Sequence, residues 1–200
     1  SGDLSEMGWW KNTWRNQDGI DLRVGCNNIS ISNITGRTGD DVIALTALNG
    51  LAEREGKVEG LSTDIHDVSI KNVFATCVYC AIVRLLNHQR NRIYNIVMDN
   101  IHEPGEGGVR AQTAVRMGDY GYAAGKEEGA LIRHGELFNI SLSNMFVRSM
   151  VGIQVDTTVK NLYVNNLFLT ETAQHIMAFG TRGSERDITT QFDFNVTPHY

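Results

Sequence analysis

The sequence predicts an all-β solenoid, a parallel β-helix of about six coils. Three observations lead there. A seven-residue phrase (Asn or Asp, apolar, any, apolar, any, Asn, apolar) recurs five times in the 200 residues. Each copy is followed by a second short apolar stretch, and no segment between them carries a helical period. Twenty Gly against two Pro point to many tight turns.

The phrases run from Asn28 to Ile34, Asp67 to Val73, Asn95 to Ile101, Asn139 to Met145 and Asn161 to Leu167. Period-2 alternation makes each a short strand with one buried face. The second stretches are Val42–Leu45, Ala81–Val83, Val115–Met117, Gly152–Val155 and Ile176–Phe179, with an earlier copy at Gly19–Leu22. Asn33, Asn72, Asn100, Asn144 and Asn166 are spaced 39, 28, 44 and 22 apart, so 22 residues is the bare unit and the longer intervals carry insertions. One such unit cannot bury its own apolar face, but stacked units bury a continuous core of Ile, Val and Leu. Six coils at about 4.8 Å per step span roughly 24 Å. A recurring Asn at the bend is placed to hydrogen-bond the equivalent Asn one coil away. Leucine-rich repeats are the main competitor, but they need Leu at fixed places, and the buried positions here mix Ile, Val, Met and Leu.

The expected organisation has coils over 16–180. Loop insertions fall at 46–64, 102–113 and 118–135, on the side where solenoids commonly bind. Residues 1–15, with Trp9, Trp10 and Trp14, read as a cap or the remnant of upstream coils, and 181–200 as a C-terminal tail or cap. Six coils are few for this architecture, so the chain reads as the C-terminal part of a longer domain.

Hydrophobic residues at 42% and charged residues at 20% suit a folded domain and argue against disorder. A net charge of −5 argues against a phosphate-backbone binder, so no nucleic acid is expected. No apolar run reaches the roughly 18 residues of a membrane span, so no membrane partner is expected either. Cys77 and Cys80 form a lone C-x-x-C with no second pair at zinc spacing, and read as small buried residues.

The densest chemistry lies in Asn16-Gln17-Asp18-Gly19-Ile20-Asp21 and Gly39-Asp40-Asp41-Val42-Ile43-Ala44-Leu45. If Ile20 stacks on Ile43, Asp18 stacks on Asp41, since each Asp precedes its Ile by two. Adjacent rungs then hold two carboxylates about 5 Å apart, with Asp40 beside them. Such crowding raises at least one pKa. It suits glycoside hydrolysis, in which a carboxylic acid protonates the leaving oxygen and carboxylates opposite activate water. Asp-Gly and Gly-Asp are also ordinary turn chemistry.

These segments resemble glycoside hydrolase family 28, the polygalacturonases and their relatives, over roughly residues 12–120. Asn16-Gln17-Asp18 is similar to the family's N-T-D segment, with Gln for Thr, and Gly39-Asp40-Asp41 matches its G-D-D segment one coil later. The resemblance implies a right-handed parallel β-helix and an inverting hydrolase of pectin-type or related glycans. Asp40 would be the general acid, and Asp18 and Asp41 would hold and deprotonate the attacking water. It implies no metal and no organic cofactor, a polysaccharide or oligosaccharide substrate, and a secreted or periplasmic location. The family's G-H-G segment has no counterpart, because that coil reads Cys77-Val78-Tyr79-Cys80-Ala81-Ile82. Its R-I-K segment survives as Val115-Arg116-Met117-Gly118, with Gly in place of Lys. The family uses that basic pair to grip a substrate carboxylate, so its loss admits a neutral or differently charged sugar.

Arg116, flanked by Val115 and Met117, is expected to point away from the core and to bind substrate. Arg84 is a second substrate-binding candidate, although its apolar neighbours leave its facing open. Tyr120, in the Gly-rich loop after Arg116, is a candidate for stacking on a sugar ring. His102, in the loop before Arg116, is the histidine best placed to replace the missing one; the others read as surface or turn residues. The sequons at Asn28, Asn33 and Asn139 fall in the repeat phrase, where Asn serves the bend; the fourth is at Asn195. Two rival functions remain at this stage. One is a carbohydrate-binding or structural β-helix that has lost turnover. The other is a polysaccharide lyase, which needs Ca²⁺ held by carboxylates and an Arg or Lys base.

Overall fold

The computed structural model describes residues 17–48, 58–78, 80–87, 91–105, 108–118, 136–170 and 173–179. Among these there is no α-helix. The strands are β1 (Ile20–Arg23), β2 (Asn27–Thr38), β3 (Ile43–Ala47), β4 (Ile65–Cys77), β5 (Ala81–Asn87), β6 (Ile93–His102), β7 (Thr113–Met117), β8 (Leu137–Val147), β9 (Val151–Val155), β10 (Lys160–Leu169) and β11 (His175–Phe179). Odd-numbered strands form a six-stranded sheet in the order β1-β3-β5-β7-β9-β11, and even-numbered strands a five-stranded sheet in the order β2-β4-β6-β8-β10. Every pairing is parallel. The chain therefore alternates between two sheets and advances one strand on each return. That path is compatible with a parallel β-helix.

The repeat phrase explains the long strands of the five-stranded sheet. Both of its Asn or Asp positions carry positive φ between 53° and 59° in all five copies, for example Asn95 at 57° and Asn100 at 57°. Asn and Asp tolerate this left-handed region better than other residues with a Cβ. Each phrase is thus a straight piece of strand between two bends. Side-chain ladders join the bends of successive strands. Asn161 donates to Asn139 at 2.9 Å, Asn139 to Asn95 at 3.0 Å, and Asn95 to Asp67 at 2.8 Å. In the second ladder Asn166 donates to Asn144 at 3.0 Å and Asn100 to Asn72 at 2.8 Å, but Asn144 turns to Asp99 at 2.8 Å.

The core lies between the sheets as stacked apolar rows. Ile31, Ile70, Met98, Leu142 and Val164 are register partners in one row, and Ile34, Val73, Ile101, Met145 and Leu167 in another. The six-stranded sheet answers with Ile43, Val83, Val115 and Ile153. These odd-strand residues are fully buried or nearly so. Both Cys77 and Cys80 are buried and unbridged, as their strand setting suggests.

Buried polar groups hold the turns between sheets. Glu103 accepts four hydrogen bonds, from Thr76 Oγ1, the Ala111 N–H, the Arg148 N–H and Ser149 Oγ, at 2.6–3.0 Å. Asp64 receives the backbone N–H and guanidinium of Arg92 at 2.6–2.9 Å. On the outer side of the five-stranded sheet the aromatic side chains stack strand upon strand, Phe74 on His102, His102 on Phe146 and Phe146 on Phe168.

Candidate active site

The site forms at the start of β1 and β3. Ile20 pairs with Ile43, and the ladder continues beyond the strands. The Gly19 N–H donates to the Asp41 carbonyl at 3.0 Å, the Ile20 N–H to Val42 at 3.0 Å, and the Asp40 N–H to Gln17 at 3.4 Å. This register brings Asp18 against Asp41, as the equal spacing from the two Ile predicts. Gly19 permits the approach, because a Cβ there would stand 2.6 Å from the Val42 carbonyl oxygen. The Gly39-Asp40 turn is held by Thr38 Oγ1 donating to the Asp40 carbonyl at 2.6 Å, and Asp40 Oδ1 accepts the Asp41 N–H at 3.0 Å.

A cleft of about 360 Å³ opens here. Asp18, Asp40 and Asp41 line it together with Arg23 and Arg84, and Ala44, Thr46, Leu48 and Leu86 supply apolar contact. The three carboxylates are held in different ways. Asp41 is buried; its Oδ1 accepts the Ala81 N–H at 2.8 Å and its Oδ2 faces Arg84 Nη1 at 3.5 Å. Burial pushes its carboxyl up, and Arg84 and the Ala81 N–H partly offset that. Asp18 is only half-buried, yet its Oδ1 is enclosed and has no hydrogen-bond partner among the described residues. Desolvation first, then the charges of Asp41, Asp40 and Asp21, push Asp18 from 3.8 to about 7.

Arg84 now has a defined facing. Ala44, Arg84, Arg116 and Gln154 are register partners across β3, β5, β7 and β9, in a row adjacent to the buried Ile43–Val83–Val115–Ile153 row. Alternation therefore turns Arg84 and Arg116 outward from the core. Arg84 reaches the carboxylates and also lies 3.3 Å from Cys80 Sγ. Arg116 sits one strand further on, where its Nη2 meets the fully buried Asp156 Oδ2 at 3.3 Å. It is not among the residues that line the cleft. Tyr120 lies outside the described residues, as do Asn16 and the three Trp.

His102 does not lie in a loop. It ends β6 in the other sheet, stacked between Phe74 and Phe146 with Nε2 2.9 Å from Asn100 Oδ1. Alternation within β6 sends this side chain to the outer side of the five-stranded sheet, away from the carboxylates, so it does not fill the place expected for it near Arg116. The position in the coil where that His is expected brings Cys80 and Arg84 to the carboxylates instead. Cys80 escaped the sequence reading as a site residue because a lone C-x-x-C in a strand looks like packing. Asp156 escaped it because its bond joins Arg116 on β7 to a residue just past the end of β9, 40 positions away in sequence.

No protein-family model, curated protein or solved structure matches the chain.

The ligand atoms of Asp40, Asp41 and Cys80 lie within 4.8 Å of one another. Burial and the Asp41 charge push the Cys80 thiol up, so it stays protonated. The adjacent Arg84 guanidinium, 3.5 Å from Asp41 Oδ2, makes this a poor cradle for a divalent cation. What the group can do is proton chemistry. It offers a carboxyl that exchanges its proton near neutrality, a second carboxylate fixed by a cation and a backbone donor, and a third at the tip of a turn.

Proposed function

We propose that the chain is an inverting glycoside hydrolase of the polygalacturonase-like kind, acting on pectin-type or related glycans from a right-handed parallel β-helix. The convergence of Asp18, Asp40 and Asp41 on one cleft from adjacent rungs carries this reading. In it, Asp40 on its turn protonates the leaving glycosidic oxygen. Asp18 and Asp41 orient a water on the opposite face of the sugar and take its proton. A base is most effective when its pKa lies near the working pH, and Asp18, pushed to about 7, meets that condition. Arg84 favours the charged form of Asp41 against the effect of burial and steadies its orientation. The apolar contact from Ala44, Leu48 and Leu86 suits the apolar face of a sugar ring. The chain belongs, in this reading, to a longer secreted or periplasmic protein whose substrate lies outside the cell.

The test is incubation of the protein with a panel of plant and microbial polysaccharides. Hydrolysis predicts new reducing ends without unsaturated sugars, independent of added Ca²⁺, and strongly reduced in Asp40→Asn. Release of no reducing ends from any panel member refutes it. A calcium-dependent unsaturated product would instead mark a lyase.

A further inference from the structure

We propose that the sugar residue held in this cleft is uncharged, because the cations in and beside the cleft are, among the described residues, already paired with the protein's own carboxylates. The inference rests on the hydrolase reading for where the substrate lies, and it goes further by naming the substrate class.

Three observations support it. First, each guanidinium that lines the cleft among the described residues has an acidic partner. Arg23 Nη2 lies 2.5 Å from Asp21 Oδ2, and Arg84 Nη1 lies 3.5 Å from Asp41 Oδ2. Arg116, one strand beyond Arg84, is held by Asp156, whose second oxygen accepts from Gln154 Nε2 at 2.7 Å. Asp156 is fully buried, so this partner cannot swing away to release the arginine to solvent. Second, the backbone after Arg116 leaves no room for a further cation. Gly118 has φ +76°, and a Cβ there would stand 2.6 Å from Thr157 Cβ and 3.2 Å from the Asp156 backbone. Any side chain at 118 meets both a disfavoured φ and a clash, so a Lys has no place at this position. Third, Asp18 and Asp40 line the cleft beside Asp41, and among the described residues no Lys or Arg forms an ion pair with either.

A uronate placed here meets like charge and, among the described residues, finds no unpaired counter-charge in exchange for its lost hydration. A neutral sugar meets the opposite situation. Its hydroxyls are donors, and carboxylate oxygens are acceptors only. The ring's apolar face finds Ala44, Leu48 and Leu86. Specificity of this kind comes from repulsion of the wrong ligand as much as from attraction of the right one.

The experiment compares matched oligosaccharides that differ only in charge. Oligogalacturonate and oligoglucuronate are each set against their carboxyl-reduced counterparts. Binding to the wild-type protein is followed by ligand-observed NMR at pH 8, and the same spectra report any reducing ends. The expected result is preference for the neutral member of at least one pair by about tenfold or more, the scale of one uncompensated charge near a binding site. Asp156→Asn, which removes the carboxylate opposite Arg116, is expected to narrow that gap. Thr46→Lys, which adds a cation to the cleft, serves the same purpose if the first variant does not fold. Equal or tighter binding of the uronate member in both pairs, or no binding of any member, overturns the inference. The two proposals fail separately. Cleavage with uronate preferred removes this one and leaves the hydrolase, whereas neutral preference without cleavage of any polysaccharide removes the hydrolase and leaves the specificity.

Discussion

Asp18 and Asp41 face each other across adjacent parallel rungs, linked through the Gly19 N–H that donates to the Asp41 carbonyl at 3.0 Å. The two carboxyls share a partly desolvated space. Burial pushes both upward, and the charge of Asp41 adds to it at Asp18, which reaches about 7. That arrangement is costly to the fold at neutral pH. Its consequences can be measured without knowing the substrate.

Stability should fall with rising pH through the Asp18 titration. The unfolded chain releases this proton near 3.8 and the folded chain near 7, so the folded state binds more protons between those values. The contribution is fully present below about 3.8 and lost as pH passes about 7. Asp18→Asn is expected to be more stable than wild type at pH 8 by on the order of 1–2 kcal/mol, after discounting a half-exposed group for solvent screening. The difference should vanish below about pH 4. Chemical denaturation at both pH values measures it.

Arg84 neutralises a carboxylate that is otherwise buried among acids. Arg84→Met leaves Asp41 without its cation and should destabilise the protein by roughly 3 kcal/mol at pH 8. Because the lost attraction needs an ionised Asp41, the penalty should shrink in acid. Denaturation of this variant at pH 4 and pH 8 gives the comparison, and a penalty independent of pH would show that Arg84 acts by packing alone.

The bend ladder makes a different prediction. Asn139 has φ 56°, donates to Asn95 and accepts from Asn161. Asn139→Ala keeps a Cβ at positive φ and removes both hydrogen bonds, for an expected loss of about 1–2 kcal/mol. Asn139→Gly loses the same bonds but relieves the backbone, so it should cost less. A Gly variant less stable than the Ala variant in thermal or chemical denaturation would contradict this.

Glu103 is a fold determinant far from the carboxylate cluster in sequence. Its two oxygens each accept two hydrogen bonds from the buried turns. Glu103→Gln substitutes an amide donor for one oxygen and turns two donors against it. A loss of about 2–4 kcal/mol is expected in chemical denaturation.

Much of this architecture was legible because its constraints are local and periodic. The Asn positions mark bends that need positive φ, and the alternation between them marks the buried rows. All six second stretches map onto strands of one sheet, with Gly19 and Val42 just ahead of β1 and β3. The Asp18–Asp41 stacking also followed from sequence, since a parallel register carries equal offsets from Ile20 and Ile43 outward unchanged. What was illegible depends on which residues meet across coils separated by insertions of different length. The Arg84 bond to Asp41 spans 43 positions and the Arg116 bond to Asp156 spans 40, and no repeat phrase announces either. His102 misled for a similar reason. It stands at the end of a strand, and only the register with Phe74 and Phe146 places it in an aromatic stack.

The central claim is that three carboxylates on adjacent rungs act together on one glycosidic bond. The most direct measurement is kcat/KM against pH, on the polysaccharide most readily cleaved, for wild type and for Asp18→Asn, Asp40→Asn and Asp41→Asn. Wild-type activity should rise as Asp18 loses its proton at about pH 7, and each folded variant should lose about 10²–10⁴-fold. A folded Asp40→Asn or Asp18→Asn protein that cleaves at close to the wild-type rate would contradict the account.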